Sequence, residues 1–135
     1  MCRSVRRRLS TRTRGDRRRD GTQWERFAKR ILTAQGLQPV TENVSSRFGE
    51  IDLIMLDAAV LSFVEVRFRR AGAIVDAAQS VDSHKQRKLA LAAQYFLAKH
   101  PRWQRHVMRF DVFAIDQDSD GNVGHRWLRD AFRPQ

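Results

Sequence analysis

The sequence predicts an α+β domain, a central mixed β-sheet flanked by helices, and three observations predict it. Two segments, one around Trp24 and one around Phe96, repeat apolar residues at helical spacing. Between them two runs, EIDLIM from Glu50 and VLSFVEVRFR from Val60, alternate with the period of two that belongs to strands. The resulting order, helix, three strands, helix, then one or two strands, is that of a layered α/β sandwich.

The first helix is expected over Thr22 to Gln35, where Trp24, Phe27, Ala28, Ile31 and Leu32 fall on one stripe and Gly36 follows as a stop. Thr22 and Glu25 have the spacing of a capping box, which gives Glu25 a purely structural explanation. Leu37 to Val44 reads as a short strand, and Pro39 argues that it lies at an edge. EIDLIM and VLSFVEVRFR then read as a β-hairpin joined through LDAA, with Ser62, Val64, Val66 and Phe68 on one face and Phe63, Glu65, Arg67 and Arg69 on the other.

A second helix is expected from Ser83 to His100, on the stripe Leu89, Ala92, Ala93, Phe96 and Leu97, and Pro101 ends it. VMRFDVFAI is a further strand, DQDSDG a turn, and VGHRWL a weak final segment. DQDSDG imitates the start of a calcium loop, but its twelfth position is Trp127 where a bidentate Glu is required, so a polar turn is the better reading.

At 135 residues the chain is one domain's worth, and 26 Lys and Arg against 15 Asp and Glu give a formal charge of +11. That sign favours a polyanionic partner, nucleic acid first. Residues 1–20, with nine Arg and two Asp, carry +7 of this charge and almost nothing apolar. They are expected to be a disordered Arg-rich tail that adds affinity for phosphates, leaving residues 21–135 as the domain. The single Cys2 agrees with a cytoplasmic protein, and no apolar run approaches the roughly 20 residues of a membrane span.

The hairpin carries the chemistry. Ionised carboxylates are costly to bury unless paired or metal-bound, so Glu50, Asp52 and Glu65 inside two apolar runs call for partners. Pairing of the runs would bring Glu50 and Asp52 toward Glu65 and Arg67. Hard oxygen ligands of this kind select Mg²⁺ or Mn²⁺, which keep positions open for water and phosphate. Such an arrangement suits phosphodiester hydrolysis, although acids with alternating apolar neighbours also occur on ordinary solvated strand faces.

GEIDLI followed by FVEVR, the upstream GTQWE, the SV and KQRKL of the second helix with its AAQYFL, then RFDVFAI and HRWLRDAF, together resemble the YraN family of small bacterial proteins. That family is similar to Holliday-junction resolvases and to restriction-endonuclease-like nucleases of the PD-(D/E)xK type, and the resemblance covers Gly21 to Phe132. It implies a restriction-endonuclease-like fold and a metal-dependent nuclease acting on DNA, branched or single-stranded forms included. Carried across, Asp52 and Glu65 become metal ligands with the carbonyl of Val66, Arg67 stands where the motif has lysine, and Glu25 is a helix-borne acid of the site. Lys85 and Gln86 are expected to reach phosphate, Arg69 is expected to bind nucleic acid as well, and Arg102 with Trp103 forms a basic-aromatic loop able to stack on nucleic acid. Arginine stays protonated, so Arg67 cannot act as a base. That departure keeps open a second reading, a non-catalytic nucleic-acid-binding module on the same fold. A homodimer is expected by analogy with the resolvases alone.

Overall fold

The computed structural model describes residues 14–73 and 76–133. Five strands form one sheet in the order β1 (Gln38–Ser46), β2 (Gly49–Asp57), β3 (Val60–Arg69), β4 (Val107–Gln117) and β5 (Val123–Phe132). All neighbours are antiparallel except β3 and β4, which run parallel because α2 (Ser83–Lys99) carries the chain back between them. With α1 (Arg14–Ala34) this is a mixed sheet flanked by helices, an α+β arrangement consistent with the restriction-endonuclease-like fold.

Strand alternation distributes the core over both faces. Leu61 and Phe63 pack with Leu89, Ala93 and Phe96 of α2, while Val64 packs with Ala28 and Leu32 of α1. Full burial of such side chains stabilises the fold by about 1.5–3 kcal/mol each. Trp24 stacks on Phe68 at 4.5 Å between ring centroids, which makes it a packing residue, as its place on the helical stripe suggests. Pro39 sits in β1, an edge strand.

Two expected boundaries move. α1 begins at Arg14, not at Thr22, so Thr22 and Glu25 lie within the helix and the capping-box explanation of Glu25 falls away. Arginine is a good helix former, which suits the earlier start. Residues 1–13 of the expected tail lie outside the described residues. In α2 the cap is Asp82, whose side chain accepts from the Lys85 N–H, and not Ser83. The Gln86 carboxamide instead donates to the Val81 carbonyl at 3.2 Å. The DQDSDG turn is closed by its own side chain, since Asp118 accepts from the backbone N–H groups of Asp120 and Asn122.

A buried polar network pins the far end of the sheet. Asp111, fully buried, accepts from Ser62 Oγ at 2.7 Å, from Arg109 Nε at 2.8 Å, from Trp127 Nε1 at 3.1 Å and from the Asp130 N–H at 2.9 Å. Arg109 also reaches Asp57 at 2.9 Å. The β4–β5 register slips beside Asp111, between Phe110 and Val112, and Asp130 takes φ 51°. The bulge thereby turns the Asp130 N–H inward to the carboxylate. One strand-borne acid thus ties β3, β4 and β5 together.

Candidate active site at the fork between β2 and β3

β2 and β3 pair from Asp57↔Val60 only as far as Leu53↔Val64. Beyond that point Ile51, Glu50 and Gly49 stay with β1, whereas Glu65 to Arg69 stay with β4. The sheet forks, and Asp52 and Glu65 stand at the apex. Asp52 Oδ2 accepts from the Val66 N–H at 2.8 Å, so a side chain from β2 satisfies a backbone group that the departing strand leaves open. A strand residue directs its N–H and C=O to the same edge, so the Val66 carbonyl faces the fork too.

The partner strand is irregular at the same level. β1–β2 pairing runs Glu42↔Leu53 and then Val44↔Ile51, which leaves Asn43 opposite Asp52 with φ 52°. Asparagine is one of the few side chains that tolerates this left-handed backbone. Ile51 packs on the α2 side and Leu53 on the α1 side, so strict alternation breaks at Asp52. Its carboxylate is open to both helix-bearing faces. Glu25 meets it from α1, and Glu65, with Arg67 and Lys85, from the side of α2. Glu25 lies three residues before Ala28 and seven before Leu32, both fully buried, so an acid on the core stripe was the signal for its inward position.

Glu65 is 5% exposed. Its Oε1 is 3.2 Å from Arg67 Nε and 3.5 Å from Lys85 Nζ. The Arg67 contact has the distance of an ion pair without the alignment of a hydrogen bond, and Glu65 Oε2 has no hydrogen-bond donor. Yet the Glu65 and Asp52 carboxyls are within hydrogen-bonding range of each other. Two carboxylates can face one another in this way only with a proton or a cation between them. Burial, then the charge of Asp52, drives Glu65 up to about 8. Burial, then Asp52, drives Glu25 up to about 7, opposed by the Asn43 side chain hydrogen-bonded to it. Burial also raises Asp52, against the hydrogen bond from the Val66 N–H and the charges of Lys85 and Arg67.

Among the described residues no group of three or more His, Cys, Asp or Glu side chains is arranged to hold a metal ion. The donor set at the fork is smaller: two carboxylates and one backbone carbonyl, with the buried Glu65 Oε2 unpartnered. This fits Mg²⁺ or Mn²⁺, which keep several waters and take one or two carboxylates, and does not fit a closed zinc cage.

The fork therefore assembles Asp52, Glu65, Val66, Arg67, Glu25 and Lys85. Other expected residues stand apart from it. Glu50 is exposed and accepts from Ser45 Oγ at 3.4 Å. Arg69 Nη1 donates to the Phe68 carbonyl. Arg102 lies over the Trp103 ring at 4.7 Å, in the short helical turn after α2. Asn43 and the Asp111 network were not singled out in the sequence; an Asn inside a strand, and an Asp and a Ser inside fully apolar runs, were the available signals.

The comparisons agree with one another. A family model described as "Uncharacterised protein family UPF0102" matches residues 24–115. A UPF0102 protein of Alcanivorax borkumensis is 46% identical over 112 residues, 83% of this chain and 90% of the relative. One from Pseudomonas syringae pv. syringae is 41% identical over 88% of this chain and 97% of the relative. A third, from Halorhodospira halophila, is 46% identical over 91% and 94% respectively. Among the described residues no helix is long and apolar enough to cross a membrane. With its family model and relatives spanning both the fork and the helices that furnish Glu25 and Lys85, the chain belongs to the UPF0102, or YraN, family.

Proposed function

We propose that the protein is a divalent-metal-dependent nuclease that hydrolyses DNA phosphodiester bonds at the fork, in the cytoplasm. The observation that carries this reading is the close approach of the Asp52 and Glu65 carboxyls, with Glu65 Oε2 unpartnered and two cations beside Glu65. Asp52, Glu65 and the Val66 carbonyl would hold Mg²⁺ or Mn²⁺. The bound ion supplies Lewis-acid polarisation of the phosphate and a more acidic water.

The chain's own groups divide the remaining work. Arg67 stays protonated and orients a non-bridging phosphate oxygen, stabilising charge as it develops there. Lys85, on the same carboxylate from the opposite element, offers a second ammonium donor to the phosphate. Glu25, held at about 7, is suited to accept a proton from the attacking water near neutral pH. The P–O bond to the leaving oxygen breaks as the water oxygen bonds to phosphorus, the water's proton passes to Glu25, and the leaving oxygen takes a proton from solvent.

The test is incubation of purified protein with branched, duplex and single-stranded DNA, with and without Mg²⁺ or Mn²⁺. The proposal expects metal-dependent cleavage of at least one substrate, abolished by Asp52→Asn with binding retained. Arg67→Lys should preserve cleavage and Arg67→Ala should lower it. DNA binding without cleavage under all these conditions favours the second reading, a non-catalytic binding module, for which the arginine in the lysine position is the supporting observation.

A further inference from the structure

α2 presents four cations, Lys85, Arg87, Lys88 and Lys99, and no carboxylate over its 17 residues. Its solvent side carries Arg87, Lys88, Leu91, Tyr95 and Lys99 at helical spacings of three, four and seven, and Leu91 is 45% exposed between the charges. The turn between β1 and β2 lies against this helix. Arg47 stacks over Phe48 at 4.8 Å, the Phe48 ring meets Tyr95 edge-on at 6.0 Å, and Lys99 Nζ lies over the other end of the row, 4.6 Å from the Tyr95 centroid. Past the end of α2 the pattern repeats once more, with Arg102 over Trp103.

None of Arg47, Arg87, Lys88, Lys99 and Arg102 is in an ion pair among the described residues, and all five are exposed. Trp103 and Arg102 stand at a cavity of about 440 Å³ that is also lined by Phe96, His100, Thr41 and Asn43. Asn43 lies opposite Asp52 across the β1–β2 pairing, and its side chain is bonded to Glu25. Asn43 thus belongs both to the cavity lining and to the surroundings of Glu25.

We propose that this cation–aromatic row, from Arg47 and Phe48 across Tyr95 and Lys99 to Arg102 and Trp103, is a binding track for single-stranded nucleic acid leading to the cavity beside the fork. The proposal rests on the nucleic-acid reading of the fork for the identity of its polyanion. Unpaired cations answer phosphates, and rings interleaved with them answer bases, which only a strand out of its duplex can offer for stacking. A duplex would engage the charges and leave the rings idle.

The test uses the full chain without metal, so that binding is read apart from cleavage, in about 0.15 M salt to suppress distant charge effects. The probes are a labelled single strand of about 15 nucleotides, the matched duplex, and an abasic strand of equal length. Wild type and Asp52→Asn should both prefer the single strand over the duplex. Arg47→Glu and Lys99→Glu, which alter exposed side chains, should each weaken single-strand binding about tenfold. Tyr95→Ala should weaken the base-bearing strand about tenfold and the abasic strand hardly at all.

Wild-type affinity in the Arg47→Glu and Lys99→Glu variants overturns the track while leaving the fork reading intact. Equal use of the same residues by the duplex also overturns it. No binding of any probe by wild type overturns the track together with the nucleic-acid reading.

Discussion

The Val66 N–H donates to the Asp52 carboxylate at 2.8 Å, across the point where β2 and β3 part. The same carboxyl that closes the fork faces Glu65 and Glu25. Asp52 therefore has two separable roles, as a hydrogen-bond acceptor for the backbone and as a negative charge among acids.

Substitution separates them. Asp52→Asn keeps an oxygen for Val66 and relieves repulsion with Glu25 and Glu65, so thermal stability should hold or rise. Asp52→Ala strands a part-buried N–H and should cost about 1–3 kcal/mol. Thermal melts of the two variants in chelator decide the matter; equal destabilisation by both would show that the charge, not the acceptor, supports the fold.

Stability should fall as pH rises through neutrality. Glu25 at about 7 and Glu65 at about 8 both hold protons in the fold that the unfolded chain releases near the ordinary glutamate value of about 4.5. Between those limits the folded state is the greater proton binder, so stability decreases with pH. The stabilising contribution is complete below about pH 4 and lost above about pH 8. In chelator, Glu65→Gln should flatten the melting temperature profile between pH 5 and 8 on this account. An unchanged slope in that variant places the titration elsewhere.

Asn43 is needed for its backbone conformation as well as for its bond to Glu25. Valine there would be forced into a left-handed conformation, at about 1–2 kcal/mol, whereas glycine adopts it freely. Asn43→Val should lower the unfolding midpoint in urea, and Asn43→Gly should stay nearer to wild type. The reverse order would mean that β1 relaxes without strain.

Asp111→Ala should be the most damaging of these changes. It leaves Arg109, Ser62, Trp127 and the Asp130 N–H without their shared acceptor. Removing one member of such a buried charged network costs about 3–5 kcal/mol. Urea unfolding reads this directly, and a loss below about 1 kcal/mol would mean that water or Asp57 replaces the carboxylate.

The hairpin and both helical stripes were legible because each rests on local periodicity, and the edge position of β1 because Pro39 cannot donate to a ladder. The approach of Asp52 and Glu65 was legible only in part, since hairpin pairing brings the acids of β2 toward β3 but would bring Glu50 as well, and it does not show the fork that opens beyond Leu53 and Val64. Three things were not. The entry of Glu25 from α1 depends on how the helix crosses the sheet, a tertiary relation with no local signature beyond its place on the stripe. The left-handed Asn43 looked like an ordinary strand residue. Asp111 sat in an apolar run whose buried partners lie on other strands.

The central claim is that Asp52 and Glu65 share a divalent cation, and calorimetric titration with Mn²⁺ at pH 7 in two buffers of different ionisation heat tests it most directly. Glu65, held at about 8, is mostly protonated at that pH, so cation binding should release protons. The account predicts binding by wild type with measurable proton release, and marked weakening in Asp52→Asn and in Glu65→Gln. Binding of equal strength in wild type and both variants, or none in wild type, would contradict it.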